Sequence, residues 1–248
     1  MGKHDLKDTT FIIPFHSDSI DRIENLYCIM EWIRTNFDTT ILMVEEDVAP
    51  TVDLTKEAGT EYIFVKRTIP DIFYRTKVIN VGIRSAKTPY IAIWDADVIV
   101  DSQNCYDAVH ALRHGRAKAI YPYGGDFVDI ARSFIVDGIK REQASFTKDS
   151  VGGGIFLNRE DYINVGIENE NIVGWGFEDR CRYNRMTTIG FPITHTDGRC
   201  YHITHSRGIN SSNANPYDKA NEKEYYRIKN MNKIELLNEI KTWSWKNQ

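Results

Sequence analysis

Tyr90-Ile-Ala-Ile-Trp-Asp-Ala-Asp-Val-Ile-Val-Asp101 is the stretch on which the fold of this chain turns. Ile91 to Trp94 form a short apolar run after Pro89, the pattern of a strand buried on both faces. Asp95 and Asp97 interrupt it, and Val98 to Val100 resume it. Two carboxylates at the end of a buried strand are costly unless something neutralises them. In an extended segment, residues two apart point the same way, so both acids can face one site. A divalent cation carrying a phosphate-rich ligand is a suitable neutraliser, because hard cations take carboxylate oxygen and share phosphates. A strand-end turn with solvated acids is the competing reading, since Asp-x-Asp is common by chance.

Upstream, Thr10 to Phe15 reads as a first strand that opens into a loop at His16-Ser17-Asp18-Ser19. Ile23, Leu26, Ile29, Met30 and Ile33 predict an amphipathic helix over Ile20 to Phe37. Ile41 to Val44 and Tyr62 to Val65 predict two further strands. Phe73 to Ala86 predicts a helix that feeds the strand at Tyr90. This alternation is that of an α/β fold, a mostly parallel sheet covered by helices. Ligands on such sheets sit beyond the carboxyl ends of the strands, where Asp95 and Asp97 fall.

Downstream, a helix is expected over Asn104 to His114 and a strand over Lys118 to Tyr121. Ile130, Phe134, Ile135 and Ile139 allow a helix within Phe127 to Phe146. Ser150-Val-Gly-Gly-Gly-Ile-Phe-Leu is a glycine-rich approach to a strand, without the Gly-Lys-Ser/Thr of a phosphate loop. In Val173-Gly-Trp-Gly-Phe-Glu-Asp-Arg-Cys, Trp175 sits between glycines, suited to lining a pocket and stacking on a sugar face. Glu178 and Asp179 fall in the first turn of a helix; taken alone they do no more than complement its dipole. In Cys200-Tyr-His-Ile-Thr-His-Ser-Arg-Gly, His202 and His205 share a side only in a turn or helix, and oppose each other in a straight strand. Ile234, Leu237, Ile240 and Trp243 lie one helical turn apart in a charged C-terminal helix running from Tyr225 to Trp243. Packing on the body is the expected use of that face, with peripheral membrane association as the other.

The chain has 248 residues, enough for a substantial core. Its 31 basic and 35 acidic residues, net −4, give no basic field for nucleic acid. No segment has the length and apolarity of a membrane span, and the four cysteines are too scattered for a disulfide scaffold. A cytoplasmic enzyme with reduced thiols is the simplest expectation.

These motifs, in this order, resemble the β-1,4-galactosyltransferases and their bacterial relatives, chondroitin-type glycosyltransferases included, which have the GT-A fold. Ile12-Ile-Pro-Phe15 is similar to the family's nucleotide-binding entry, and implies nucleotide contacts at Pro14 and Phe15; His16 stands where an Arg is common. Phe73-Tyr-Arg-Thr-Lys-Val-Ile-Asn-Val-Gly82 resembles Phe-Asn-Arg-Ala-Lys-Leu-Leu-Asn-Val-Gly, which implies that Phe73 and Arg75 hold the uridine. Asp95-Ala-Asp97 looks like Asp-Val-Asp, with Asp95 at the donor and Asp97 on the metal. Val151-Gly-Gly153 is similar to Phe-Gly-Gly, and Gly174-Trp-Gly-Phe-Glu-Asp179 to Gly-Trp-Gly-Gly-Glu-Asp. His202-Ile-Thr-His-Ser-Arg207 resembles Met-Ile-Arg-His-Ser-Arg, which implies that His202 and His205 complete the metal site. Phe177 and Arg180 replace a Gly and an Asp, and Ser150 stands where galactose-specific members have Tyr.

The resemblance implies a metal-dependent, inverting glycosyltransferase that uses Mn²⁺ and a UDP-sugar, with a glycan as acceptor. Asp179 would be the base and Glu178 would orient the acceptor. Trp175 would join donor and acceptor, and Gly153 would lie against the donor. One GT-A domain is expected, with a nucleotide-sugar part over about 1–125, an acceptor and catalytic part over about 126–210 and a helical appendage over about 211–248. Two rivals remain: a sugar nucleotidyltransferase, which would want a Lys/Arg-bearing glycine loop after the first strand, and a sugar-binding module without catalysis.

Overall fold

The computed structural model describes residues 2–54, 57, 59–133 and 146–247. The chain opens with strand β1 (His4–Phe15) and helix α1 (Ile20–Asn36), whose first turn is closed by the Ser19 hydroxyl accepting from the Arg22 amide. Leu26, Ile29, Met30 and Ile33 are the buried face of that helix. Strands β2 (Phe37–Asp47) and β3 (Thr60–Lys66) follow. Then come α2 (Arg75–Ser85), β4 (Tyr90–Trp94), β5 (Val98–Val100), α3 (Ser102–Arg113) and β6 (Ala119–Tyr121). β7 (Asp126–Ile130), β8 (Phe146–Thr147), β9 (Gly154–Asn158) and α4 (Arg159–Asn164) lead to α5 (Glu178–Ile189), β10 (Ile193–His195) and β11 (Arg199–Ile203). Helices α6 (Asp218–Lys229) and α7 (Lys233–Thr242) follow, and a short 3-10 helix over Ser244–Asn247 closes the described chain.

The main sheet has seven strands in the order β10-β6-β9-β4-β1-β2-β3. β1 pairs in parallel with β2 and β4, β2 with β3, and β6 with β10, while β9 runs against both β4 and β6. The α/β, mostly parallel architecture read from the sequence is therefore the observed one. A second sheet, β5-β11-β7-β8, stands beyond the carboxyl end of β4. The two sheets are joined by the turn at Asp95-Ala96-Asp97, which the buried Trp94 fixes by donating its indole N–H to the Val98 carbonyl (3.0 Å). A Cβ added at Gly154 would lie 2.7 Å from the Trp94 ring, so only glycine lets β9 pass so close to it.

Several boundaries moved for identifiable reasons. The helix expected from Phe73 begins at Arg75, because the Phe73 amide donates to Asn210 Oδ1 (2.9 Å) and the Tyr74 amide to Glu46 Oε2 (2.6 Å). The single C-terminal helix is two. Asn232 starts the second, accepting from the amides of Ile234 and Glu235, while Glu235 accepts from the Asn232 amide. Of the face expected to pack on the body, Ile240 and Trp243 are buried, close above Gly166 and joined by Leu236, whereas Ile234 and Leu237 are exposed. Of the segment 127–146, Phe127 to Ile130 lie in β7, and the helix allowed by Phe134, Ile135 and Ile139 falls outside the described residues.

Candidate active site

Asp97 sits in the turn after β4. β11 pairs antiparallel with β5, with His202 opposite Val98, so the ladder sets the imidazole beside that turn. The strand then ends. The Ile203 amide donates to the Asp97 carbonyl (2.7 Å) and the Thr204 amide to the Ile130 carbonyl (2.9 Å), and residues 204–208 are irregular. Strict strand alternation therefore stops before His205, which lies on the side of His202. His205 Nε2 lies 3.3 Å and His202 Nε2 3.7 Å from Asp97 Oδ2.

Each imidazole is committed on its other nitrogen. His202 Nδ1 lies 2.7 Å from Asp129 Oδ1 on β7, and His205 Nδ1 lies 2.8 Å from the Ser206 carbonyl. An Nδ1–H donated to such acceptors leaves the Nε2 lone pair free in the neutral ring. Both Nε2 atoms and a carboxylate oxygen of Asp97 thus face one point, with ligand atoms within 4.8 Å of one another. Among the described residues no other group of His, Cys, Asp or Glu meets that condition. Burial works against the Asp97 charge, yet the neighbouring His202 and His205, in their protonated forms, and Arg22 hold its carboxyl well below the usual range. Burial opposes the charging of His202 too, but Asp97 and Asp129 raise its pKa on balance. This donor set, hard oxygen with borderline nitrogen, fits a divalent transition ion.

Asp95 does not join this cluster. Its carboxylate faces Arg75 Nη2 at 2.5 Å, against the expectation that both acids face the cation. The alternation fails because β4 stops at Trp94 and residues 96 and 97 lie in a turn. Arg75 also reaches Glu178 Oε1 (3.4 Å) and Asp179 Oδ1 (3.5 Å), which ties the end of β4 to the start of α5. Glu178 accepts from the Gly176 amide (2.8 Å). Burial pushes its carboxyl up to about 7; Arg75 opposes the rise and Asp179 adds to it. Asp179 is also paired with Arg182 Nη1 at 2.9 Å, and a Cβ at Gly152 would lie 2.9 Å from its Oδ2.

These groups surround a cleft of about 620 Å³. Pro14, Phe73, Arg75, Asp95, Asp97, Gly153, Trp175, Glu178, Asp179, His202 and His205 all line it. Phe15 does not: strand alternation turns Pro14 to the cleft and Phe15 into the core, where it is 1% exposed. His16 is buried against Asp47 (3.1 Å) and Arg67 and stacks on Phe73. The motifs gave no sign of Arg22, whose Nη1 lies 3.6 Å from Asp97 Oδ2, or of Asp129 and Arg182. Arg22 is on α1 and Asp129 on β7, and neither stands inside a recognisable block.

Residues 139–206 match the family described as N-terminal domain of galactosyltransferase. Mouse β-1,4-galactosyltransferase 1 is 26% identical over 176 residues, which is 66% of this chain and 39% of that protein. Among solved structures, GalNAc-T7 with UDP, GalNAc and Mn²⁺ superposes with a TM-score of 0.57 and 11% identity, over 89% of this chain and 47% of that one. A Drosophila β-1,4-galactosyltransferase 7 in complex with xylobiose gives 0.46 and 19%, over 77% and 64%. No described helix is long and apolar enough to cross a membrane. In sequence the chain is similar to the β-1,4-galactosyltransferases, and its α/β fold is that of the GT-A glycosyltransferases.

Proposed function

We propose that this chain is a metal-dependent, inverting glycosyltransferase that moves a hexose or N-acetylhexosamine from a UDP-sugar to a glycan hydroxyl. Galactose and N-acetylgalactosamine are the favoured donors, and a polysaccharide or glycoconjugate is the product. One observation carries the reading. A carboxylate with two imidazoles, Asp97, His202 and His205, and an acid pair, Glu178 and Asp179, stand on the walls of the same cleft. Transfer of a sugar needs both, one at the leaving group and one at the attacking hydroxyl.

The acceptor oxygen attacks the anomeric carbon from the face opposite the nucleotide. The bond from that carbon to the diphosphate oxygen breaks, UDP leaves, and the hydroxyl proton passes to Asp179. Asp179 is the better base because it is more open to the cleft than the buried Glu178, which orients the acceptor. A divalent cation held by Asp97, His202 and His205 would neutralise charge on the departing diphosphate, and the donor set suits Mn²⁺. Arg22 and Arg75 add fixed positive charge on the same cleft. Pro14, Phe73, Arg75, Asp95 and Gly153 hold the nucleotide sugar, and Trp175 lies where donor meets acceptor. In this reading residues about 1–125 form the nucleotide-sugar part and about 126–210 the acceptor and catalytic part.

The nucleotidyltransferase reading wants a mobile basic loop after β1, whereas His16 is locked between Asp47 and Arg67. The test is UDP release from UDP-Gal and UDP-GalNAc with Mn²⁺, with and without monosaccharide glycosides. Slow, Mn²⁺-dependent release that acceptors stimulate is expected. UDP-sugar binding without release under any condition would leave a binding module instead.

A further inference from the structure

A second cavity, of about 410 Å³, opens beside the first and shares Asp149, Ser150, Val151 and Arg180 with it. That size is within the roughly 300–1,000 Å³ usual for small-molecule sites. One face of α5 walls it, because Arg180, Tyr183 and Asn184 are spaced three and four residues apart. Tyr225 and His195 complete the aromatic side, and Asn184 Nδ2 fixes the Tyr225 hydroxyl at 2.8 Å. The wall therefore offers rings, an amide, an imidazole and a carboxylate, which is the chemistry that grips a sugar ring and its hydroxyls.

Arg180 is the exception on this wall. It is the only Lys or Arg among the described residues lining the second cavity, it is exposed, and no described residue forms an ion pair with it. Of the other arginines lining the first cleft, Arg22 and Arg75 are paired with acids, and Arg207 donates to the Ser211 carbonyl (3.4 Å). Arg180 also lines the first cleft together with Asp179, so the second cavity meets the cleft that holds the base of the proposed reaction. A carboxylate or sulfate matches the guanidinium fork, with two parallel hydrogen bonds.

We infer that the second cavity receives an anionic acceptor sugar whose acid group is bound by Arg180, with Asp149 and Asn184 left for its hydroxyls. This deepens the glycosyltransferase reading and rests on it for the role of acceptor. Selectivity comes from Arg180 because a neutral sugar leaves it solvated, whereas an acid forms charge-assisted bonds inside a partly closed pocket.

The experiment measures binding of three p-nitrophenyl sugars, the β-glucoside, the β-glucuronide and the β-glucoside 6-sulfate, to the full chain with Mn²⁺ and UDP present. At least one anionic sugar should bind about tenfold tighter than the glucoside, the equivalent of one charge-assisted hydrogen bond. Whichever leads identifies the acid as carboxylate or sulfate. In Arg180→Ala the preference should fall to about twofold or less, with Arg180→Lys between the two, because Lys offers charge without the fork. An unchanged melting temperature shows that the variants fold. Equal binding of all three sugars to the wild type overturns the inference, as does a preference that survives Arg180→Ala. Turnover of UDP-sugars on the same samples separates the two readings. Anion preference without turnover defeats only the transferase reading, and turnover that prefers the neutral glucoside defeats only this inference.

Discussion

Asp129 Oδ1 lies 2.7 Å from His202 Nδ1, across the β7–β11 ladder in which the two residues are direct partners. The family motif that this chain resembles has a methionine where His202 stands, and a thioether needs no such partner. An imidazole does, because its tautomer and ring direction decide whether Nε2 faces the metal position. The replacement and its orienting carboxylate are thus one unit. Asp129→Ala should weaken Mn²⁺ binding by about 10–100-fold, read by titration calorimetry or the Mn²⁺ resonance signal. His202→Ala should weaken it at least as much. Unchanged affinity in both variants removes His202 from the ligand set.

Asp179→Asn keeps the shape of the side chain and removes the proton acceptor. Turnover should fall by about 10²-fold or more while UDP-sugar affinity is kept. Glu178→Gln should raise the acceptor requirement more than it lowers turnover. Both quantities must be measured on the same protein. Normal turnover in Asp179→Asn places the base elsewhere, and loss of nucleotide binding makes Asp179 a structural residue.

Glu178 also predicts a pH dependence of stability. Burial raises its carboxyl from 4.5 to about 7 in the folded chain. The folded state then binds the proton more tightly than the unfolded state. Its stabilising contribution is complete below pH 4.5 and is lost as the pH rises through about 7. Glu178→Gln keeps an oxygen for the Gly176 amide and does not titrate. Unfolding curves should show the wild type losing on the order of 2–3 kcal/mol relative to this variant between pH 4.5 and 8. Parallel pH profiles for the two proteins would contradict the assignment.

Ser150 lines both the cleft and the second cavity, where galactose-specific relatives carry a tyrosine. A small residue leaves room for an N-acetyl group at the second carbon of the donor. UDP-GalNAc should therefore be used at least as well as UDP-Gal, and Ser150→Tyr should shift the ratio towards UDP-Gal. A strict UDP-Gal preference that this substitution leaves unchanged would sink the idea.

Gly154→Ala puts a methyl group 2.7 Å from the buried Trp94 ring. Trp94 is wedged between Phe11 and Trp32 and held by its bond to Val98, so it has nowhere to move. Such overpacking costs about 1–3 kcal/mol. The melting temperature should drop by several degrees, since about 2–4 °C per kcal/mol is usual for a chain of this size. Activity should fall too, because the same Trp94 contact sets the turn that carries Asp95 and Asp97. A melting temperature equal to the wild type would show that the ring can yield.

Local pattern and order of motifs settled much of this protein. The apolar runs at Phe11, Ile41 and Ile91, with a helix-period segment after the first, leave a mostly parallel sheet as the economical arrangement. The blocks at Asp95, Trp175 and His202 could be matched because each is contiguous in the chain. What the tertiary structure decided involves residues distant in sequence. Asp95 looked equivalent to Asp97, but Arg75, twenty positions earlier, takes it out of the metal cluster. Whether His202 and His205 converge depended on where β11 stops, and the bonds to Asp97 and Ile130 set that point. Asp129, Arg22 and the isolation of Arg180 had no local signal, since a charge acquires its role from what folding packs against it.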